Sequence, residues 1–206
     1  MTLDSLIAQG EHQQQDFKYV ISSVNKIAHS LSAFANTDGG RLLVGVRDNG
    51  RIAGVQSDEE IYMIDAAAKS FCLPPVECQM QTTQQEGRSV LICSVEASSQ
   101  RPILAREEDG SQLAYVRVAD QNIVASPVHL ELWRQQQSGR ESILHEADRH
   151  WLALFGQAAE EGITLNRFCR QSHLPRRRSI RLLAQLLRFG LLQMKFDGQQ
   201  WRFSGR

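Results

Sequence analysis

The chain has 206 residues, of which 42% are apolar and 22% charged, and its 23 basic and 23 acidic residues give a formal net charge of zero. This is the composition of a globular protein with enough apolar side chain to form a buried core. No apolar run approaches the about 18 residues of a membrane span, and the start MTLDSLIAQG lacks the basic and apolar segments of a secretory signal. We therefore expect a cytoplasmic protein without a membrane partner.

The two halves of the chain differ in charge. Residues 1–135 hold 11 basic and 17 acidic residues, whereas residues 136–206 hold 12 and 6. Halves of opposite sign predict two domains with different partners. We place an N-terminal domain at residues 1–135, a linker at residues 136–145 and a C-terminal domain at residues 146–206. The basic C-terminal domain is the candidate for binding phosphate.

The N-terminal half has the pattern of an α+β fold. Apolar residues at helical spacing, from Val20 to Phe34, predict a helix over about Lys18 to Asn36. The apolar run Arg41–Val46 predicts a strand, which a turn at Asp48–Gly50 joins to a partner strand at Arg51–Val55. The other predicted elements are a helix capped by Ser57 and Glu60, strands at Val76–Thr83, Ser89–Glu96, Ile103–Ala105 and Ala114–Val118, and a helix from Ser126 through Trp133.

Helices dominate the pattern of the C-terminal half. The predicted elements are helices at Glu146–Glu160 and Leu165–Gln171, a turn at Ser172–Leu174, a helix from Pro175 through Phe189, and strands at Leu191–Phe196 and Gln200–Phe203. Asp197 and Gly198 form a hairpin signal between the two strands. The order helix, helix, turn, helix and hairpin is that of a winged helix-turn-helix.

The third of these helices carries a basic face. Its candidate nucleic-acid contacts are Arg176, Arg177, Arg178, Arg181 and Arg188. A helix-turn-helix protein inserts this helix into the major groove, where the planar guanidinium of arginine can hold guanine or phosphate with two hydrogen bonds. We therefore expect a DNA-binding, or RNA-binding, domain that acts as a homodimer on paired half-sites. The alternatives are a merely solvated face, or a surface that contacts the acidic N-terminal half.

Three segments of the N-terminal half carry a family resemblance. Glu11–Lys18 reads EHQQQDFK, Ala33–Gly40 reads AFANTDGG, and Leu42–Gly50 reads LLVGVRDNG. Together they resemble the AlbA-like domain of the Schlafen family, also described as a divergent AAA-type module. The resemblance is strongest from Glu11 to Val55 and extends to Trp133. It implies a mixed sheet with helices, and bacterial chains that join this domain to a helix-turn-helix are described as transcriptional regulators.

The resemblance also implies an alternative function, since some members of the family are metal-dependent endoribonucleases with three carboxylates. By motif position these are Glu11, Asp16 and Asp48, with Asp16 standing where the nucleases have Glu. Clustered carboxylates bind Mg²⁺ or Mn²⁺, and the metal activates water. In the non-catalytic alternative Glu11 is solvated, Asp16 caps an element and Asp48 opens a turn. The basic side chains that could gather RNA near the acids are Lys18, Arg41, Arg47 and Arg117.

Nucleotide binding is a third hypothesis, which follows from the AAA-type description. The sequence contains no GxxxxGK[ST] motif, so the phosphate-binding loop of P-loop proteins is missing. The segment Asn36–Gly40 could offer backbone N–H groups, but it follows the C-terminus of a helix, whose dipole disfavours phosphate.

Overall fold

The computed structural model describes residues 2–55, 57–139, 150–156 and 161–206. Its chain divides into two compact units, Met1–Val124 and Ala125–Arg206. Both contain helices and strands, so the mixed α+β class is confirmed. No helix in the described ranges is long and apolar enough to cross a membrane.

The N-terminal unit is built from two four-stranded sheets. Its strands are β1 (Gln15–Lys18), β2 (Gly40–Val44), β3 (Cys72–Leu73), β4 (Cys78–Gln85), β5 (Arg88–Val95), β6 (Leu104–Arg106), β7 (Gln112–Val118) and β8 (Gln121–Val124). The first sheet has the order β1-β2-β5-β4, with β1 and β2 parallel and the other neighbours antiparallel. The second has the order β3-β6-β7-β8 and is antiparallel throughout.

The helices of this unit are α1 (Leu3–Ile7), α2 (Val24–Asn36) and α3 (Glu59–Ala66), which continues into a π-helical turn at Ala67–Phe71. The long helix α2 connects the parallel strands β1 and β2 and lies in the main core. Its Leu31 and Phe34 are fully buried in a cluster that also contains Leu42 of the first sheet and Ala105 of the second. Helix α2 thereby holds both sheets in one unit.

The start of α2 differs from the sequence prediction. Ser23, not Lys18, begins the helix, because its side chain caps the first turn by accepting from Lys26 N. Lys18 belongs to β1, and Val20, which continued the apolar spacing backwards, is 43% exposed. The apolar periodicity beyond the serine cap was therefore a coincidence of sequence.

Most strand predictions of this unit are confirmed. The pairs β4–β5 and β6–β7 form the two expected hairpins. The predicted strand at Arg51–Val55 is wrong, since only a single bridge joins Val46 to Ile52. Gly45, with φ of +92°, ends β2 where the pairing was expected to continue. The prediction missed the short strands β1, β3 and β8.

The C-terminal unit contains helices around a three-stranded sheet. Its elements within the described ranges are α4 (Pro127–Gln137), α5 (Leu152–Gly156), β9 (Ile163–Thr164), α6 (Leu165–Ser172), α7 (Arg176–Arg188), β10 (Leu192–Phe196) and β11 (Trp201–Gly205). The antiparallel sheet has the order β10-β11-β9. Phe155, Phe168, Leu183 and Phe203 are fully buried in its core. Apart from β9 and the limits of the first helix, these elements match the predicted order.

The boundary between the units lies earlier than the composition suggested. Helix α4 was expected to close the N-terminal domain at residue 135, but it packs in the C-terminal unit. Val128 of α4 is fully buried in the same cluster as Leu183 and Leu186 of α7, and Leu132 packs against that cluster. The unit boundary therefore falls between Val124 and Ala125. Much of the expected linker, and both ends of the helix predicted at Glu146–Glu160, lie outside the described residues.

Candidate functional site

Two of the three candidate metal ligands lie together in the N-terminal unit. Glu11 precedes β1, and its Oε1 accepts a hydrogen bond from Phe17 N at 2.9 Å. Burial raises the pKa of Glu11, and a hydrogen bond with the Asp16 carboxyl adds to that rise, whereas the Phe17 N–H acts against it. The five-residue separation therefore does not keep Glu11 and Asp16 apart, because the chain turns between them.

The carboxylate of Asp16 is already neutralised by two cations. Its side chain is 5% exposed, with Lys18 Nζ at 2.5 Å and Arg117 Nη2 at 3.3 Å. Arg117 is itself buried, and its other terminal nitrogen donates to Asn122 Oδ1 at 2.8 Å. Two carboxylates facing two cations give a cluster without the excess negative charge that attracts a divalent ion.

The third acid does not complete a metal site. Asp48 lies in the turn after Val46, and its side chain is exposed. Within the described ranges, no three His, Cys, Asp or Glu side chains are grouped in a way that could hold a metal ion. The expected convergence of Glu11, Asp16 and Asp48 is therefore not met. The residues present do not fit Mg²⁺ or Mn²⁺, because Lys18 contacts one oxygen of the Asp16 carboxylate, Arg117 contacts the other, and no third acid joins Glu11 and Asp16 among the described residues.

The AFANTDGG segment, which carries much of the family resemblance, connects helix α2 to the second sheet. The side chain of Asn36 donates to Ile103 O and Tyr115 O and accepts from Ile103 N, at 2.8 to 2.9 Å. The hydroxyl of Thr37 accepts from Arg117 N at 2.9 Å. These bonds satisfy backbone groups of the second sheet, so the segment has a structural role that its sequence alone did not reveal.

The same segment offers no cradle for the phosphates of a nucleotide. The N–H groups of Thr37 and Gly39 both donate to Phe34 O and are therefore used within the helix end. At Gly39, with φ of +71°, an added Cβ would lie 2.8 Å from Val95 O, so the loop is packed against β5. The structure gives no support to nucleotide binding at Asn36–Gly40.

The basic candidates of the N-terminal unit have different surroundings. Lys18 and Arg117 both form ion pairs with Asp16. Arg41 is half-buried at the start of β2, whereas Arg47 is exposed and its guanidinium lies 3.9 Å from the centre of the Tyr19 ring. Of these four side chains, Arg47 is the one that presents its charge most openly to solvent.

The candidate arginines of the C-terminal unit cluster at the start of α7. Arg176, Arg177, Arg178 and Arg181 are all exposed. Arg176 Nη1 donates to Asn166 Oδ1 at 2.7 Å. None of the ion pairs between described residues involves the four arginines. Glu131 of α4 pairs with Arg134, which lowers the pKa of Glu131, and the nearby charge of Arg181 adds slightly to that lowering. The first two turns of α7 thus form a basic surface, which we call the arginine face.

The apolar and polar contacts of the turn before α7 fix the arginine face. The hydroxyl of Ser172 accepts from Leu174 N, and Ser179, fully buried, donates to Leu174 O. On the other side of α7, Leu183 and Leu186 are buried in the core. The arginine face is therefore the outward side of a rigidly packed helix.

Arg188 has a different role from the four arginines before it. It is half-buried, and its Nη1 donates to the carbonyl of Gln135 on α4 at 3.0 Å. Arg188 therefore connects two helices within the unit. Sequence reasoning did not single out Arg167 and Arg170 of α6, which are also exposed and add charge beside the turn.

Solved structures of other proteins are similar to this chain. No curated protein matches the chain. The DIP2311 protein from Corynebacterium diphtheriae is 18% identical, with a TM-score of 0.51 over 97% of this chain and 37% of that one, so this chain corresponds to little more than a third of that protein. The N-terminal domain of a RecG-related protein from Nitrosomonas europaea is 23% identical, with a TM-score of 0.44 over 70% of this chain and 92% of that one.

The family model of the Schlafen AlbA_2 domain matches residues 11–126. The matched segment begins at Glu11, includes every described strand of the N-terminal unit, and covers more than half of the chain. The chain belongs to the Schlafen AlbA_2 family.

Proposed function

We propose that the C-terminal unit is a winged helix that binds DNA through the arginine face of α7, and that the protein acts as a transcriptional regulator. The observation that carries the proposal is the group of four exposed arginines in the first two turns of α7, which no acid neutralises within the described ion pairs. In a helix-turn-helix these positions approach the base edges and phosphates most closely.

The arginine face is unfavourable for α7 on its own. The N-terminus of a helix carries partial positive charge, so acidic residues stabilise the first turn and basic residues destabilise it. The first turn of α7 contains no acid and instead begins with Arg176, Arg177 and Arg178. A local conflict of this kind is typical of a functional surface, and phosphate would relieve it by neutralising both the side chains and the helix end.

The element order of the unit supports the same function. Helix α6, a three-residue turn at residues 173–175 and helix α7 correspond to a helix-turn-helix, and the β10–β11 hairpin follows where the wing of a winged helix lies. Asp197 at the hairpin tip accepts from Gln199 N and Gln200 N and pairs with Arg202, which gives the hairpin a defined turn. We expect a homodimer on paired half-sites, because proteins with this motif commonly bind as symmetric dimers.

The test is a binding titration of the full chain with a labelled DNA duplex at low salt. Replacing Arg177 and Arg181 with alanine should weaken binding by about tenfold or more, because two phosphate contacts are lost. The matched control replaces the exposed Lys26 and Arg106 of the N-terminal unit, which removes the same charge. Equal loss in both variants, or no binding by the wild type, would refute the DNA-binding proposal. A labelled RNA duplex measured in parallel decides between the two nucleic acids.

A further inference from the structure

An open pocket in the N-terminal unit, of about 500 Å³, is lined by arginines and has no acidic wall. Its lining includes Tyr19, Arg47, Asn49, Arg51, Ile52 and Arg88, with Ala53 between them. We call it the arginine pocket. Its volume is within the range of about 300–1,000 Å³ that is typical of small-molecule sites. It belongs to neither the acidic pair near β1 nor the arginine face of α7.

Two of the three guanidinium groups have defined contacts. The Arg47 guanidinium lies over the Tyr19 ring, with its central carbon 3.9 Å from the ring centre. Arg88 donates to the backbone carbonyl of Ile52, and its stem passes Gly54, where an added Cβ would lie 3.2 Å from Arg88 Cβ. Arg88 therefore reaches the pocket from the start of β5, whereas Arg47 and Arg51 reach it from the turn between Val46 and Ile52.

The turn that carries two of these arginines is closed by hydrogen bonds. Arg47 N donates to Arg51 O at 3.0 Å, Gly50 N donates to Arg47 O at 2.7 Å, and Arg51 N donates to Asn49 Oδ1 at 3.1 Å. Asp48 lies in the same turn but does not line the pocket. The turn thus fixes the backbone positions from which Arg47 and Arg51 reach the pocket, and a preorganised backbone loses less entropy on binding.

The charge of the arginine pocket is opposite to that of its unit. Residues 1–124 contain 10 basic and 16 acidic residues, yet three of the basic ones line this one pocket. None of the ion pairs between described residues includes Arg47, Arg51 or Arg88. Three cations held close together without counter-charge repel one another, and an anionic ligand removes that repulsion.

We propose that the arginine pocket binds the terminal phosphate of a nucleotide, either free or at the end of a nucleic-acid strand. A phosphomonoester carries nearly two negative charges at neutral pH, whereas a backbone diester carries one, so the monoester suits three guanidinium groups better. The stacked Arg47 and Tyr19 side chains offer a flat surface beside the phosphate position, on which a base can stack. The site is independent of α7 and of the DNA-binding proposal.

The experiment is a calorimetric titration of the full chain with AMP, and with adenosine as the ligand that lacks phosphate. The chain carries Arg177→Ala and Arg181→Ala, so that α7 does not compete and the two proposals can fail separately. AMP should bind at one site and adenosine at least tenfold more weakly. Arg51→Gln, alone and with Arg88→Gln, should weaken AMP by about tenfold or more, whereas Arg106→Gln, an exposed arginine outside the pocket, should leave it unchanged.

Two further arms identify the chemistry of the ligand. Below about pH 6 a phosphomonoester loses its second charge while arginine keeps its own, so AMP should bind several-fold more weakly at pH 5 than at pH 7.5. A short oligonucleotide with a 5′-phosphate, compared with the same strand ending in a 5′-hydroxyl, shows whether a strand end is accepted. Equal affinity for AMP and adenosine overturns the proposal. So does an equal effect of Arg51→Gln and Arg106→Gln, or the absence of binding by both AMP and the phosphorylated strand.

Discussion

At the scale of single residues, the contacts of each charged side chain show whether it stabilises the fold or is exposed to solvent. Asp16 matches the position of a catalytic acid in the family motif, yet Lys18 and the distant Arg117 neutralise it. The motif identified Asp16, but nothing in the sequence places residue 117 beside residue 16 without the arrangement of the sheets. Arg117 was expected to contact RNA, and it is instead a buried partner of Asp16.

His129 is a second buried group whose role is clear only from its contacts. It occupies the first turn of α4, and its Nδ1 accepts a hydrogen bond from Ser126 N at 3.1 Å. Its ring meets Trp201 edge-on, with 4.4 Å between the ring centres. Burial lowers the pKa of His129 from 6.5 to about 4, so the neutral ring is the form that the folded unit contains.

The pKa of His129 predicts how the C-terminal unit responds to acid. Since the pKa is lower in the folded state, the unfolded state takes up the proton first. The contribution of the neutral His129 ring to the free energy of unfolding is fully present above pH 6.5 and is lost as the pH falls towards 4. Lowering the pH from 7 to 4.5 should therefore reduce the free energy of unfolding by about 2–3 kcal/mol through His129.

Urea unfolding at the two pH values measures this loss. His129→Gln can still accept the Ser126 N–H bond but cannot titrate, so its stability should fall less between pH 7 and 4.5 than that of the wild type. An identical fall in wild type and variant would contradict the role given to His129.

At the scale of helices and strands, the predictions were right where the residues that begin and end an element were recognised. Helix α7 begins after Pro175 and ends before Gly190, and both limits were read correctly from these residues. Helix α2 was extended too far back because Val20 continued the apolar spacing, although the Ser23 cap already marked the true start. Short strands such as β1 carry too few residues to show a period, so they could not be predicted.

The connection from α2 to the second sheet gives a prediction at the same scale. Asn36→Ala removes three buried hydrogen bonds, to Ile103 N, Ile103 O and Tyr115 O, and only Ile103 O keeps a described side-chain partner, the Ser32 hydroxyl. The variant should lose at least about 2 kcal/mol of unfolding free energy, because an unsatisfied buried polar group costs about 1–3 kcal/mol. Chemical denaturation measures the change.

A matched control lies on the same helix. Asn25 makes a solvent-exposed hydrogen bond to Arg106 O, so Asn25→Ala should cost less than about 1 kcal/mol. If the two asparagine variants were equally stable, the structural role of the AFANTDGG segment would have to be abandoned.

At the scale of the whole molecule, the chain combines an AlbA_2 unit with a helical, basic unit, and the division between them depends on α4. Composition placed the division near residue 135, because α4 follows the acidic half and its sequence is polar towards its end. The structure assigns α4 to the C-terminal unit, since Val128 and Leu132 pack against the core that contains α7. Charge counts average over long windows, and they cannot detect which core buries one amphipathic helix.

This assignment predicts how fragments of the chain behave. A fragment of residues 125–206 should fold, whereas a fragment of residues 138–206 should lose about 2–5 kcal/mol, the contribution of burying Val128 fully and Leu132 in part. A loss of that size is comparable to the whole stability of a small domain. Thermal melts followed by circular dichroism compare the two fragments. Equal melting temperatures would show that α4 is not part of the unit.

The measurement that tests the central claim most directly is the salt dependence of duplex binding by the full chain. If Arg176, Arg177, Arg178 and Arg181 each contact a phosphate, the plot of log affinity against log salt should have a slope of about −3 to −4, since each neutralised phosphate contributes about −0.9. Replacing Arg177 and Arg181 with alanine should flatten that slope by about 2 without lowering the thermal transition, because both side chains are exposed. A slope that stays the same in this variant, at any measurable affinity, would contradict the assignment of DNA binding to the arginine face.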